Sequence, residues 1–389
     1  MIEHSSQSLS LVLKSIMKSP QKCWSADGVP IFSRPEAYRL MHQGAHIRYH
    51  WYDDAWLNFD WSEPDNRTLQ KIYQDNARRI RDTYDHVAVF YSGGADSHTI
   101  LTTFRDIGAK VDEIIYWKMP TYADGRYDHN FELVRTVERH RETLLQWFPE
   151  AEITLIDINF DQLEILRGLT PEQNPVNTFC CGIRMGTTPF IRAWIPRSLD
   201  ANAIYLTGTD KPRLDFVNGS WYAYLQDTAG TSDAWGRSVE AFYIGPDPRV
   251  HRAQCHALRR WMISHGVTSR QELRTAQRSQ NQSTWSEINL DVLKRARPFD
   301  DSTMIKRNSR YKNNDPAEGY IKTYMMNRFL RTSDRGRRLQ NLWQQRKIDT
   351  QSYTGYHWHQ EVFGRWFNLS TGQNFSIDDV FPDGWHNHD

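Results

Sequence analysis

The residues with the clearest chemical potential lie in one short run, Tyr91-Ser92-Gly93-Gly94-Ala95-Asp96-Ser97. Two adjacent glycines let the backbone turn tightly and bring consecutive N–H groups up to an anion with no Cβ in the way. Where such a turn opens a helix, the amides of the first helical turn point the same way and the helix dipole adds to the attraction. The hydroxyls of Ser92 and Ser97 can donate to phosphate oxygens. Asp96 would repel a bare polyphosphate, so it serves through Mg2+ or by bonding loop amides. The spacing and the lysine of a Walker loop are absent. A plainer reading also fits the letters: a flexible turn in which Asp96 caps the following helix.

The segments around this run are those a phosphate loop needs. Residues 86–91 are a short apolar run with β-branched members, hence a buried strand. Residues 97–107 follow as a helix, with Ile100, Leu101, Phe104 and Ile107 on one face and Gly108 as its stop. A helix over 68–82 precedes the strand, with Leu69, Ile72, Tyr73 and Ile80 near helical spacing. Strands at 111–117, 153–158 and 203–206 and a long helix at 131–148 continue the alternation. This pattern predicts an α/β fold, a doubly wound parallel sheet covered on both faces, whose ligands sit at the carboxyl ends of the strands. The first 65 or so residues (among them Trp24, Tyr49, Trp51, Trp56 and Trp61) show no clean period and read as loop-like. The expected division is an aromatic-rich N-terminal extension at 1–67, a nucleotide-binding domain at 68–270 and a mainly helical C-terminal region at 271–389.

Ser92-Gly93-Gly94-Ala95-Asp96-Ser97 matches the SGGxDS signature, and from about residue 68 to 266 the chain resembles the PP-loop ATP pyrophosphatase superfamily. That resemblance implies a doubly wound sheet that binds ATP and cleaves it between the α and β phosphates. It implies that Ser92, Gly93, Gly94, Ala95, Asp96 and Ser97 hold the pyrophosphate, with Tyr116 and Trp117 near the adenine and Mg2+ reached through Asp96. Cys180-Cys181-Gly-Ile-Arg184, then Pro189, and Tyr205-Leu-Thr207-Gly208-Thr209-Asp210-Lys211 resemble the PAPS/APS reductase branch, which DNA phosphorothioation sulfurtransferases share. So does the run at 241–248, followed by a helix through Ala253, Leu258, Trp261 and Met262 to His265-Gly266. Thr207, Gly208 and Thr209 would then supply hydroxyls and a close-approach glycine, and Lys211 and Arg213 would offset charge as pyrophosphate leaves. For Arg213 and Lys211 the alternative is a solvated charged loop. Cys181 could be reactive, its thiolate favoured by Arg184, or both cysteines could be simply buried. Met185 stands where the branch has a lysine, and only Cys255 follows the pair, so no iron–sulfur cluster is expected, since one takes four thiolates.

Composition narrows the rest. Lys and Arg (48) balance Asp and Glu (47), so total charge is silent about partners. With 15 Trp, 18 Tyr and 17 Phe, the chain must bury or pair a large aromatic surface. Four cysteines (Cys23, Cys180, Cys181 and Cys255) suit a reducing cytoplasm rather than a disulfide framework. No apolar run reaches the roughly 18 residues of a membrane span, so no membrane partner is expected. Residues 294–347 carry 15 Lys and Arg against 5 acidic residues, interleaved with Tyr311, Tyr320, Tyr324, Phe329 and Trp343. That mixture suits nucleic-acid contact, with Arg335, Arg337 and Arg338 as candidates, or else a solvated helix face. His357 and His359, and His386 and His388, lack zinc spacing and read as surface histidines.

The sequence therefore predicts an enzyme that uses Mg2+ and ATP to adenylate an acceptor with release of pyrophosphate, in sulfur transfer or nucleic-acid modification, and working alone or as a homo-oligomer. Two other readings stay open. One is an amide ligase resembling the synthetase half of asparagine synthetase; the other is a non-catalytic nucleotide-binding module.

Overall fold

The computed structural model describes residues 22–31, 40, 45–62, 64–118, 138, 140–157, 202–208, 212–224, 239–278 and 366–381. In chain order the elements are β1 (Lys22–Ala26), β2 (Val29–Ile31), β3 (Ile47–Trp51), α1 (Asp53–Leu57), α2 (Leu69–Thr83) and β4 (His86–Phe90). Next come α3 (Ala95–Asp106), β5 (Glu113–Lys118), α4 (Arg141–Trp147), β6 (Glu152–Asp157), β7 (Ala203–Thr207), β8 (Arg213–Val217) and β9 (Ser220–Tyr224). Last are β10 (Val239–Ala241), α5 (Arg249–Ser264), α6 (Arg270–Arg278), β11 (Trp366–Asn368), β12 (Asn374–Phe375) and α7 (Ile377–Val380).

The centre is a five-stranded sheet in the order β10-β7-β4-β5-β6, and every pairing in it is parallel. This is the α/β, doubly wound arrangement that the strand–helix alternation predicts. The chain runs outward from β4 through β5 to β6, then returns to place β7 on the other side of β4. The strand order thus reverses between β4 and β7, which makes the crevice at their carboxyl ends the natural ligand position. Apolar side chains alternate along the strands. Val87, Val89, Tyr91, Ile114, Tyr116, Ile204 and Leu206 join one buried cluster with residues of α2, α3, α4 and α5. Ala88, Phe90, Ile115 and Tyr205, one step out of phase, are buried as well. α2 is held at its start by Thr68, whose side chain accepts from the Lys71 amide, and it buries Leu69, Ile72, Tyr73, Ala77 and Ile80. The expected long helix at 131–148 is described only as α4 and its flanks; its earlier part lies outside the described residues.

The N-terminal region differs from its loop-like expectation. β1, β2 and β3 form a three-stranded antiparallel sheet, order β2-β1-β3. Its hairpin closes through Asp27 (φ 49°) and Gly28 (φ 82°), with Ala26 opposite Val29, so two left-handed residues make the turn. A second two-residue turn of the same kind, Asn218 (φ 50°) and Gly219 (φ 78°), joins β8 to β9. These strands continue into a four-stranded antiparallel sheet, order β12-β11-β9-β8, built from segments more than 140 residues apart in sequence. Arg270 at the start of α6 grips Asp215 of β8 through two nitrogens (3.0 and 2.9 Å) and lies over the Phe381 ring.

The N-terminal aromatic residues fasten these units together. The Trp51 indole donates to the Ile244 carbonyl (3.0 Å) and the Trp56 indole to that of Gly245 (3.1 Å). Trp61 stacks on Phe367 of β11 at 4.1 Å. Arg252 and His256 of α5 bond the carbonyls of Asp60 and Trp61 (2.8 Å each). Among these rings lies His251, 1% exposed, against Trp56 and Trp61, with neither ring nitrogen hydrogen-bonded. Burial lowers its pKa from 6.5 to about 3. As pH falls below about 6.5, the unfolded chain takes up a proton that the folded chain refuses, so stability drops until about pH 3 and is flat below it. His98, lowered to about 4 by burial and by the charges of Arg105 and His140, acts in the same direction. His251→Leu should therefore raise stability at pH 7. At pH 5 it should remove a further penalty of about 2 kcal/mol, read from urea midpoints at the two values. An unchanged pH 7 to pH 5 difference in the variant would refute this.

Candidate functional site

The Ser92–Ser97 run lies where the sequence places it, between β4 and the body of α3. Tyr91 extends the sheet by one residue, its amide donating to the Ile115 carbonyl (2.7 Å). Gly93 adopts φ 78°, a left-handed conformation that a side chain would strain. Gly94 is the N-cap of α3, which begins at Ala95, two residues before the expected start. Asp96 therefore falls inside the first turn and is not the cap that the plainer sequence reading required. Within the loop Ser97 Oγ accepts from the Ser92 amide (3.2 Å), donates to the Gly94 carbonyl (3.2 Å) and lies 3.4 Å from Ser92 Oγ. Ser92 Oγ in turn accepts from the Gly94 amide (3.3 Å). These bonds are at the long end of the useful range, so an arriving anion can take over their donors at small cost. Ser92 is exposed and Asp96 half-buried, whereas Gly93, Gly94, Ala95 and Ser97 are buried. The amides of the first turn of α3 have no acceptor within the helix, by the geometry of any helix start.

The second segment singled out in the sequence meets the first. β7 ends at Thr207, whose carbonyl accepts from the Phe242 amide, and Gly208 follows. A Cβ on Gly208 would stand 2.9 Å from the Ser97 nitrogen and 3.0 Å from both the carbonyl carbon and the Cβ of Asp96. The end of β7 is thus pressed onto the first turn of α3, closer than any side chain permits. The Tyr243 hydroxyl donates to the Asp96 carbonyl (2.7 Å). Burial, and then the Asp96 charge, raises the Tyr243 pKa well above its usual value, so it stays a donor.

The other expected residues are placed by the elements they belong to. Tyr116, near the end of β5, packs in the buried cluster, 8% exposed. The backbone of Trp117 belongs to β5. Arg213 opens β8 in the antiparallel sheet, opposite Tyr224. Cys181, Thr209, Lys211, Arg335, Arg337 and Arg338, with Cys180 and the whole of 294–347, lie outside the described residues. Cys255 is buried, and burial raises its pKa. Among the described residues no three acidic, histidine or cysteine side chains gather to hold a metal, so an ion at Asp96 would need a ligand's oxygens beside the carboxylate.

Three side chains at the loop carry no role in the sequence analysis: Tyr91, which opens the run singled out there, His98 just after it, and Tyr243. The first two flank the loop seven residues apart, one closing the strand and one in the second half-turn of the helix, a spacing that puts both under the turn. Tyr243 gave no such local signal, because its partner is 147 residues away.

No protein-family model matches this chain, and no curated protein matches it. Among solved structures it is similar to an NMN synthetase from Francisella tularensis, at 13% identity over 38% of this chain, with a TM-score of 0.24. The matched part spans 56% of that chain, under two thirds of its length. It is also similar to an NH3-dependent NAD synthetase from Campylobacter jejuni subsp. jejuni NCTC 11168, in complex with the nitrate ion. That likeness has 13% identity over 69% of this chain and 96% of the other, with a TM-score of 0.28.

The close approach at Gly208 yields a direct test. Gly208→Ala must push the first turn of α3 away from β7, at a cost of about 1–3 kcal/mol. On the reading of the loop as a phosphate site, affinity for inorganic pyrophosphate should fall at least about tenfold, measured by calorimetry on the folded variant at a temperature well below its unfolding. Unaltered stability and affinity would show that the two segments do not touch as described.

Proposed function

We propose that this chain binds the polyphosphate of ATP on the Ser92–Ser97 loop and uses it to adenylate an acceptor, releasing pyrophosphate. The observation that supports this most is the loop itself. It is a two-glycine turn at the strand-order reversal, opening a 12-residue helix whose N-cap is Gly94, with the side-chain-free residue that follows the neighbouring strand against it. The amides of the turn and the first helical turn, with the Ser92 and Ser97 hydroxyls, bind the β and γ phosphates. Mg2+, an oxygen-seeking ion that commonly shares one carboxylate with substrate phosphates, would be held at Asp96 and would offset phosphate charge. In the reaction an acceptor oxygen bonds to the α phosphorus, the bond from that phosphorus to the bridging oxygen breaks, and its electron pair leaves with pyrophosphate. The loop donors grip the group that gains charge, so they favour departure more than binding.

Within this reading the acceptor is a sulfur compound or a nucleic acid. The support is the resemblance of Cys180-Cys181-Gly-Ile-Arg184 and Thr207-Gly208 to the PAPS reductase branch, together with the basic, aromatic stretch at 294–347. Lys211 and Arg213 are the cations proposed to meet the leaving group.

The unaltered protein should release pyrophosphate from ATP and Mg2+ when offered the right member of a panel of nucleic acids, sulfur donors and amino acids with ammonia. Asp96→Ala should cut the rate about a hundredfold or more, and Ser97→Ala about tenfold, in a coupled phosphate assay. Heat on titration with ATP and Mg2+ but no release with any acceptor would leave a binding module; no heat at all would end the nucleotide reading. Salt-dependent nucleic-acid binding lost in Arg335→Ala, Arg337→Ala and Arg338→Ala combined would identify the acceptor class, and its absence would exclude it.

A further inference from the structure

Beneath the loop, the Tyr91 hydroxyl and His98 Nδ1 lie 2.9 Å apart. Tyr91 is 1% exposed and His98 3%, so the bond is sealed from water. Tyr91 is the last residue before the turn, fixed to the sheet through Ile115; His98 is the first residue after the signature, and its own amide bonds the Gly94 carbonyl (3.0 Å). The pair therefore spans the turn from its entry to its exit. The Trp147 ring of α4 lies beside the imidazole, 5.7 Å between centroids, and the Arg105 guanidinium sits over that indole at 4.3 Å. These neighbours leave the imidazole little room to swing.

We propose that Tyr91 and His98 are positioning residues: their buried hydrogen bond sets the width of the Ser92–Gly94 turn and so holds the loop amides at the spacing a polyphosphate needs. The inference rests on the loop's reading as the phosphate site and adds to it the means by which the loop keeps its shape before a ligand binds. Neither side chain touches the ligand. The loop's own bonds, at 3.2 to 3.4 Å, are too long to keep a two-glycine turn in one conformation, whereas the tie at 2.9 Å lies in the dry interior, where such a bond is stronger. Glycine turns are the costliest backbone to order, so a shape fixed before binding removes that cost from the affinity.

The test is a set of variants titrated with ATP and Mg2+ by calorimetry, with amide hydrogen exchange at residues 93–97 read in parallel. Tyr91→Phe and His98→Leu should each weaken binding about tenfold and speed exchange, and the double variant should be no worse than either single one. His98→Asn, whose amide can reach where Nδ1 stood, should restore affinity to within about threefold of the unaltered protein. A merely space-filling histidine would give the opposite ranking, with leucine the better substitute. Binding and exchange in Tyr91→Phe equal to the unaltered protein would overturn the positioning role alone, as would an asparagine variant no better than leucine. Failure of the unaltered protein to bind ATP would overturn the phosphate reading itself, and the positioning role with it. His98→Leu that does not fold would leave Tyr91→Phe, which removes one oxygen, to decide.

Discussion

The absence of a side chain at Gly208 is what lets the two halves of the candidate site meet. Two segments that the fold brings side by side, the end of β7 and the start of α3, meet at a distance that no Cβ could occupy. A doubly wound sheet reverses its strand order at this seam, and the backbone groups that meet there are those of a strand end and a helix start. A residue with any side chain would hold the helix off the strand. The helix amides would then no longer share one surface with the turn at Gly93 and Gly94.

Around that seam the molecule adds rigidity from several directions. Tyr243 reaches from the turn after β10 to the Asp96 carbonyl, and that turn is held by the indoles of Trp51 and Trp56 through the carbonyls of Ile244 and Gly245. The aromatic N-terminal residues thus act on the loop at one remove. They fasten the backbone segment from which Tyr243 projects, and their rings pack against β11 from the far end of the chain. Indoles suit this work because each buries a large apolar area and still offers one directed donor. The cost appears at His251, a polar ring caught among them with no hydrogen bond to offset its loss of water.

Much of this was legible in the residues, and the exceptions have physical reasons. The strands at 86–90 and 203–207 are legible as short apolar runs, because a strand buried on both faces needs no polar alternation, and those at 113–118 and 152–157 through their β-branched residues. The loop was legible because its demands are local: two glycines, two hydroxyls and a carboxylate within six residues. The N-terminal sheet was missed because β1, β2 and β3 are three to five residues long and give no period, although Asp27-Gly28 marked its hairpin and Asn218-Gly219 marked another. The start of α3 moved to Ala95 because a glycine at the N-cap needs no side-chain bond when the strand behind it fixes the entry.

The amino-acid order alone determined the strand–turn–helix with its two glycines and two hydroxyls, since each part of that unit depends on neighbours within a few residues. The tertiary structure decided everything that joins distant segments. It set Gly208 against Ser97, Tyr243 on Asp96, the indoles on the carbonyls of 244 and 245, and β11 beside β9. These pairings are chosen by which buried surfaces fit and which backbone groups must find partners away from water, and such conditions have no signature in local spacing.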